Sequence, residues 1–341
     1  MIKAAVIGHG FSAKVFHLPF LKVLPQFAVS AISTRHKDEV ADQYPEAAIY
    51  SDAESLIAQT DADLVIITAP NEAHFPLAKL ALEYGKHVLL EKPFVNEIAE
   101  GETLIALAEQ SKRVLTVYHN RRWDSDFLTV KKVIQSGALG EIKVFSSHFD
   151  RFRPDLRQRW RELPGPGAGI WYDLGPHLID QALCLFGLPE SVMGRCLPMR
   201  EGSQVVDYFD VILHYADKEV LLHSSPYSAE PNARFTVQGT MGSFVKTGLD
   251  PQEPRLIAGQ LPDNDNWAAE TADQYGIHYA ANHKQAVVSE LGGYQRLYTA
   301  LAKCIEEEGY NPVPATEALN GIRIIKAAMQ SSDTGRTVHL S

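Results

Sequence analysis

The sequence predicts an α/β protein in two parts. A doubly wound parallel sheet is expected over residues 1–119, and an α+β domain with a mostly antiparallel sheet over residues 120–341. Two observations carry this reading. Through the first part, short β-branched runs alternate with helical patterns, which implies right-handed βαβ units around a buried parallel sheet. Beyond residue 120 the strand-like runs follow one another, which implies antiparallel pairing.

The elements come in this order. Strand runs are expected at Ile2–Gly8, Phe27–Ile32, Asp63–Thr68, His87–Glu91 and Arg113–Tyr118, with helical patterns at Pro76–Gly85 and Ile98–Gln110. A helix at Leu128–Gly137 and a strand at Glu141–Asp150 then precede a Pro- and Arg-rich loop at Arg151–Gly169. The stretch GAGIWYDLGPHLIDQALCLFG (Gly167–Gly187) reads as helix. Its Leu178, Ile179, Ala182, Leu183, Leu185 and Phe186 fall on one apolar face, with Gly187 and Pro189 as stop signals. Three strand runs follow, Val205–Tyr215, Glu219–Tyr227 and Ala233–Gly239. Leu261–Leu291 is polar and weakly patterned and is expected to be loop. Ala315–Ser332 is an amphipathic helix, expected to pack back on the first part.

Bulk properties narrow the function classes. The 341 residues are 45% hydrophobic and 22% charged, enough for two ordinary globular domains. A formal net charge of −10 disfavours a general nucleic-acid binder, which needs a basic face. The three cysteines, Cys184, Cys196 and Cys304, have no paired spacing, so neither a disulfide framework nor a zinc site is expected, no metal is expected, and a reducing compartment fits. No basic segment leads into a cleavable apolar run, and no stretch is apolar enough for a membrane span. A cytoplasmic protein without membrane partners is expected.

GHGFSA (Gly8–Ala13) directly follows the first strand run and fits G-x-G-x-x-G/A. In that pattern Gly8 permits a tight turn, Gly10 lets a pyrophosphate approach the backbone, and a small residue at Ala13 allows helix–strand packing. Phe11 and Ser12 lie between them. An NAD site would place an acidic residue at the end of the second strand. Here the sequence reads STRHK (Ser33–Lys37), with no carboxylate before Asp38. Ser33 and Thr34 can donate hydrogen bonds and Arg35 can take a phosphate as a bidentate fork, which favours NADP(H). TAPNEAH (Thr68–His74) ends another strand at the same sheet edge, so Thr68, Pro70, Asn71 and His74 are candidate cofactor contacts, Asn71 equally a helix cap. EKPF (Glu91–Phe94) ends the next strand; its Lys92 can polarise a carbonyl or stabilise an alkoxide.

Asp173 and His177 stand four apart beside the apolar face of the helical stretch, with Pro176 between them. If the helix starts near Gly169 and kinks at Pro176, they share one face; if it starts at Pro176, they still lie within a turn. A carboxylate and an imidazole among apolar neighbours must be paired, working, or both. As metal ligands they are only two, with no obvious third.

GxGxxA, EKP and D-x-G-x-H, in this order, resemble the Gfo/Idh/MocA oxidoreductases over nearly the whole chain. The resemblance implies an N-terminal Rossmann domain and a C-terminal α/β domain with a large open sheet. It further implies that Lys92, Asp173 and His177 form the catalytic centre and contact substrate. Trp160 and Arg161, opening WRELPGPGAG, would lie near the nicotinamide. YHNRRWDSDFLT, SHFDRFRP and IWYDLGPHLIDQ are similar to a subgroup containing NADP-linked scyllo-inositol dehydrogenases. A homodimer or homotetramer is implied by the resemblance alone. The expected activity is hydride transfer between NADP(H) and a cyclic polyol or sugar, with an aldose or ketose reductase, or a non-catalytic nucleotide sensor, as rivals.

The remaining candidates stay open. His119 and Asn120 could face the cofactor carboxamide or a sugar hydroxyl. Arg121 and Arg122 could contact substrate or form structural ion pairs. Asp150, Arg151 and Arg153 could line a polyol site or decorate a strand end.

Overall fold

The computed structural model describes residues 1–157, 162–230, 232–264 and 266–340. In chain order the strands are β1 (Ile2–Ile7), β2 (Phe27–Ser33), β3 (Ala48–Tyr50), β4 (Leu64–Ile67), β5 (His87–Leu90), β6 (Leu115–Val117), β7 (Ile142–His148), β8 (Ser191–Leu197), β9 (Tyr208–His214), β10 (Glu219–Ser224), β11 (Ala233–Gly239), β12 (Ser243–Thr247), β13 (Gly276–Ala280), β14 (His283–Val287) and β15 (Val338–His339). The helices are α1 (Leu18–Val23), α2 (Lys37–Ala41), α3 (Ala53–Gln59), α4 (His74–Glu83), α5 (Ile98–Ser111), α6 (Ser125–Gln135), α7 (Ile170–Phe186), α8 (Gln252–Ile257), α9 (Gln295–Ile305) and α10 (Ala315–Thr334).

Two compact units result. The first comprises Met1–Asn120, Gln252–Ala268 and Gly293–Leu319; the second comprises Arg121–Pro251, Ala269–Gly292 and Asn320–Ser341. Two segments beyond residue 120 thus belong to the first unit, and the second of them takes in the start of the helix expected to pack back on the first part.

In the first unit six parallel strands run in the order β3-β2-β1-β4-β5-β6. The order reverses at β1, so the carboxyl ends of β1 and β4 flank the crevice where ligands bind in such sheets. All four residues of β4 are buried, as a strand covered on both faces requires. α9 supplies what the sequence reading left unassigned: Leu297, Tyr298, Leu301 and Ala302 are buried on one face. Tyr298 stacks on Phe20 at 5.4 Å, and Tyr294 and Trp267 meet the same ring edge-on. Residues 311–314 lie along β6: Val117 N–H donates to Val313 O, and Asn311 bonds both Thr116 and Leu115. This covers a sheet edge that would otherwise stand open.

In the second unit nine strands run in the order β14-β13-β12-β11-β7-β10-β9-β8-β15. Among the described residues of this sheet, only β7 and β10 pair in parallel. β9 alternates, with Phe209, Val211 and Leu213 buried and Tyr208, Asp210, Ile212 and His214 turned to the other side. The expected loop Leu261–Leu291 is corrected: it contains the hairpin β13–β14, five residue pairs in register. Its β14 residues are mostly exposed and polar, so backbone pairing forms it without an apolar repeat to announce it. No helix among the described residues is long and apolar enough to cross a membrane.

Candidate active site

The first unit contributes the nucleotide-type loop. Gly8 has φ +92°, and a Cβ there would stand 2.8 Å from Thr68 Oγ1, so the turn from β1 admits only glycine. Gly8 N–H donates to Ser33 O at 3.1 Å, and Thr68 Oγ1 donates to Ile7 O at 2.8 Å. These bonds tie the ends of β1, β2 and β4 together. A Cβ on Gly10 would meet nothing within 4 Å: its outer side is open space. Ala13 is fully buried where the pattern needs a small residue, and begins a π-helical turn, Ala13–His17, that runs into α1. Phe11 is exposed. The loop therefore fits a dinucleotide phosphate: a strained turn, a tight small-residue contact, and backbone open on the side a phosphate would take.

At the end of β2, Ser33 and Thr34 are buried and Arg35 is exposed. Thr34 N–H donates to Tyr50 O, and Thr34 Oγ1 accepts from His36 N–H. Arg35 makes no ion pair among the described residues, and Asp38 lies beyond the turn on α2. Pro70 is exposed. Asn71 is buried in a 3-10 turn, Asn71–Ala73, and does not cap α4, whose N-cap is Ala73. His74 is buried, with Nδ1 2.8 Å from Pro93 O and Nε2 3.1 Å from Ala69 O. Burial lowers its pKa, opposed by the two carbonyls. Its position thus braces the loop carrying Lys92 and Pro93.

Lys92 is half-buried at the end of β5, followed by a cis peptide to Pro93. Its backbone N–H donates to Glu91 Oε2 at 3.0 Å. The other oxygen of Glu91 accepts from the Ser12 hydroxyl and lies 3.0 Å from His17 Nε2. The Tyr298 hydroxyl stands 2.7 Å from His17 Nδ1. Burial opposes ionisation of Glu91, yet His17, Lys92 and Ser12 together bring its carboxyl down to about 2. Sequence reasoning missed His17 and Tyr298. A signal existed: His17 interrupts the apolar run VFHLPF, and a buried polar side chain there requires a partner.

The second unit, taken by itself, carries α7. It starts at Ile170 and runs unbroken through Pro176, so Asp173 and His177 share one face, one turn apart. Pro176 has no N–H to give the carbonyl of Tyr172. Gly175 is required by packing: a Cβ there would stand 2.6 Å from the Trp171 ring. That ring is fully buried against Phe209, and its Nε1–H donates to Ile325 O. The D-x-G-x-H pattern is therefore a polar pair at four-residue spacing around a glycine that clears an indole. His177 is 5% exposed and Asp173 half-buried.

The next polar pair on α7, Asp180 and Gln181, went unnoticed in the sequence, although it repeats the spacing of His177 at i+3 and i+4. Asp180 takes a bidentate pair from Arg122, Nε–Oδ2 2.9 Å and Nη2–Oδ1 2.7 Å. Gln181 donates to Arg121 O and accepts from Arg234. Arg121 pairs with Asp124. Of the two readings left open for the arginines, both are found in ion pairs. Asp150 is held by Ser225 N–H and Asn232 and faces two histidines, while Arg153 N–H donates to Pro226 O. His119 and Asn120 are buried at the end of the first unit's continuous segment. Trp160 and Arg161 lie outside the described residues.

Comparison with known proteins gives this arrangement a family. Residues 2–119 match the NAD-binding Rossmann-fold model of an oxidoreductase family, and residues 131–340 match its C-terminal alpha/beta domain. The chain belongs to the Gfo/Idh/MocA family. It is 42% identical to the uncharacterized oxidoreductase YdgJ of Escherichia coli, over 100% of this chain and 99% of the relative. It is 39% identical to scyllo-inositol 2-dehydrogenase (NADP(+)) IolW of Bacillus subtilis, over 99% and 96%. A crystal structure of a putative oxidoreductase from Klebsiella pneumoniae superposes with TM-score 0.94 at 41% identity, covering 100% and 96%. The structure of putative oxidoreductase yvaA from Bacillus subtilis superposes with TM-score 0.96 at 39% identity, covering 100% and 98%. As a member of this family the chain is a nicotinamide-dependent dehydrogenase acting on CH–OH groups.

Proposed function

We propose that the protein is an NADP(H)-dependent dehydrogenase that interconverts a secondary alcohol and a ketone on a cyclic polyol or sugar, with scyllo-inositol as its first candidate substrate. The observation that carries the cofactor assignment is the end of β2. Two hydroxyl residues and an exposed Arg35 stand where an NAD site would carry a carboxylate. The substrate assignment draws on the full-length likeness to IolW. The Gly8–Ala13 loop would take the pyrophosphate on the open side of Gly10, and Arg35 with Ser33 and Thr34 would hold the 2′-phosphate.

The nicotinamide, when bound, supplies or accepts the hydride. The chain's own groups handle the proton. His177 takes the hydroxyl proton as the alcohol is oxidised and returns it on reduction. Asp173, one turn before it, orients the imidazole. Lys92 stabilises the developing alkoxide.

The test is steady-state turnover of scyllo-inositol, myo-inositol, glucose and a deoxysugar ketone with each cofactor. Arg35→Ala should raise KM for NADP+ about 10–100-fold, the loss of a charge-assisted contact, and leave NAD+ kinetics unchanged. His177→Ala should lower kcat by about 10²–10⁴-fold while NADPH affinity is kept. Tight NADPH binding by wild type with no turnover of any polyol or sugar would instead make it a nucleotide sensor.

A further inference from the structure

On the second unit's sheet, strand register brings three ligand-type side chains together at a place the proposed dehydrogenase chemistry does not use. His148 of β7 and His223 of β10 are direct partners in the parallel pairing, and Asp210 of β9 is the direct partner of His223. All three alternate with buried neighbours (Ser147, Leu222 and Phe209), so they share the opposite side of the sheet. The β7 strand continues irregularly beside β10, with Phe149 N–H on His223 O and Arg151 N–H on Ser225 O. Asp150 is thereby set two residues beyond His148. We propose that His148, Asp150 and His223 form a binding site for a first-row divalent transition metal, with zinc as the ion to try first.

The donor geometry supports this. His148 Nδ1 lies 3.3 Å from Asp150 Oδ2, and His223 Nε2 lies 3.6 Å from Asp150 Oδ1. One donor atom from each residue falls within 4.8 Å of the others. The two histidines approach different oxygens of Asp150, and the 3.3 Å approach of His148 is itself within hydrogen-bond range, so a metal bonded at about 2.0–2.2 Å to all three would draw the imidazoles onto the carboxylate by a small side-chain adjustment. The 3.6 Å approach is too long for a direct hydrogen bond.

The surroundings are those of a ligand set held for a cation. Ser225 N–H donates to Asp150 Oδ1 at 2.8 Å and Asn232 Nδ2 to Oδ2 at 2.6 Å, fixing the carboxylate and leaving lone pairs for a metal. The second nitrogen of His223, Nδ1, faces Asp210 Oδ1 at 3.9 Å. At that distance Asp210 is an ion-pair partner and not a hydrogen-bond acceptor, on the side of the ring where a metal-bound imidazole usually carries its supporting carboxylate. Two imidazoles and one carboxylate suit zinc, cobalt or nickel over calcium or magnesium. The side chains of His148 and His223 are 31% and 19% exposed, so an ion can enter and a fourth position stays open to solvent. Asp150, a candidate polyol contact in the sequence, becomes a ligand in this assignment.

The test uses tag-free full-length protein, treated with chelator and dialysed. Isothermal titration with zinc chloride should show one ion per chain with Kd on the order of 1 μM or tighter, and cobalt chloride should give the visible absorption of a low-symmetry site. His148→Ala and His223→Ala should each weaken zinc binding at least about 100-fold. Asp210→Asn should weaken it about 10-fold, the effect of losing the supporting carboxylate. His214→Ala, which removes another imidazole from the same side of the sheet, should change nothing. Absence of zinc binding by the wild type, or binding that survives both histidine substitutions, overturns the proposal. Neither result touches the dehydrogenase assignment.

Discussion

The two sheets solve burial in different ways, and the difference explains where chemistry can be placed. In β4 of the first unit every residue is buried, and the candidate cofactor and catalytic groups that follow β1, β4 and β5 come just past the strand ends, in the Gly8 turn and at Thr68, Glu91 and Lys92. In β9 and β10 of the second unit alternate residues are free of the core, and polar groups such as Asp210 and His223 sit mid-sheet. A parallel sheet covered on both faces can carry function only at its edge. A sheet with one apolar side can carry it along its length.

Substitutions can break or sharpen this contrast. Ile66→Ala in β4, at a position with no exposure, should cost about 2–5 kcal/mol in denaturant unfolding, the sum of lost transfer energy and a cavity. A smaller loss, near that of a surface site, would mean that the two sheets are not buried differently after all.

At the edge of the same sheet, Glu91 ties stability to pH. Its folded carboxyl, down at about 2, lies below the ordinary value of 4.5. Stabilisation is therefore present above 4.5 and lost as pH falls towards 2, with a size on the order of 3 kcal/mol. Glu91→Gln should be less stable than wild type by about that amount at pH 7, and the gap should narrow between pH 5 and pH 3. Parallel unfolding curves for the two proteins across that range would remove the buried network from the account.

In the second unit, Gly175→Ala should cost about 1–3 kcal/mol by forcing the Trp171 ring aside. Near-ultraviolet circular dichroism of the indole should change with it. An unchanged spectrum and stability would refute the packing role of the glycine. The smallest effect belongs to Met193→Ala on β8, 43% exposed, which should stay within about 0.5 kcal/mol of wild type.

How much was legible beforehand follows from the same physics. β1, β4 and β5 stand out as short apolar runs, and α7 as a long apolar periodicity with a glycine stop. The hairpin β13–β14 was invisible because His283, Lys284 and Gln285 are exposed and pair through backbone alone. The candidate site divided likewise. Lys92, Asp173 and His177 lie in local patterns, and the glycine loop follows a strand. His17 and Arg234 lie in no motif, and nothing local marks the role of Asp180, because their partners come from 53 or more residues away in the chain.

By itself the sequence determined the kinds of element, the nucleotide-type loop and the four-residue spacing of Asp173 and His177, because each depends on neighbours within a few residues. Only the tertiary structure decided that Glu91 is held by His17 and Ser12, that Gly175 clears an indole, and that His148, Asp150, His223 and Asp210 share one side of a sheet. Strand register and side-chain packing set those contacts, and neither is written in local spacing.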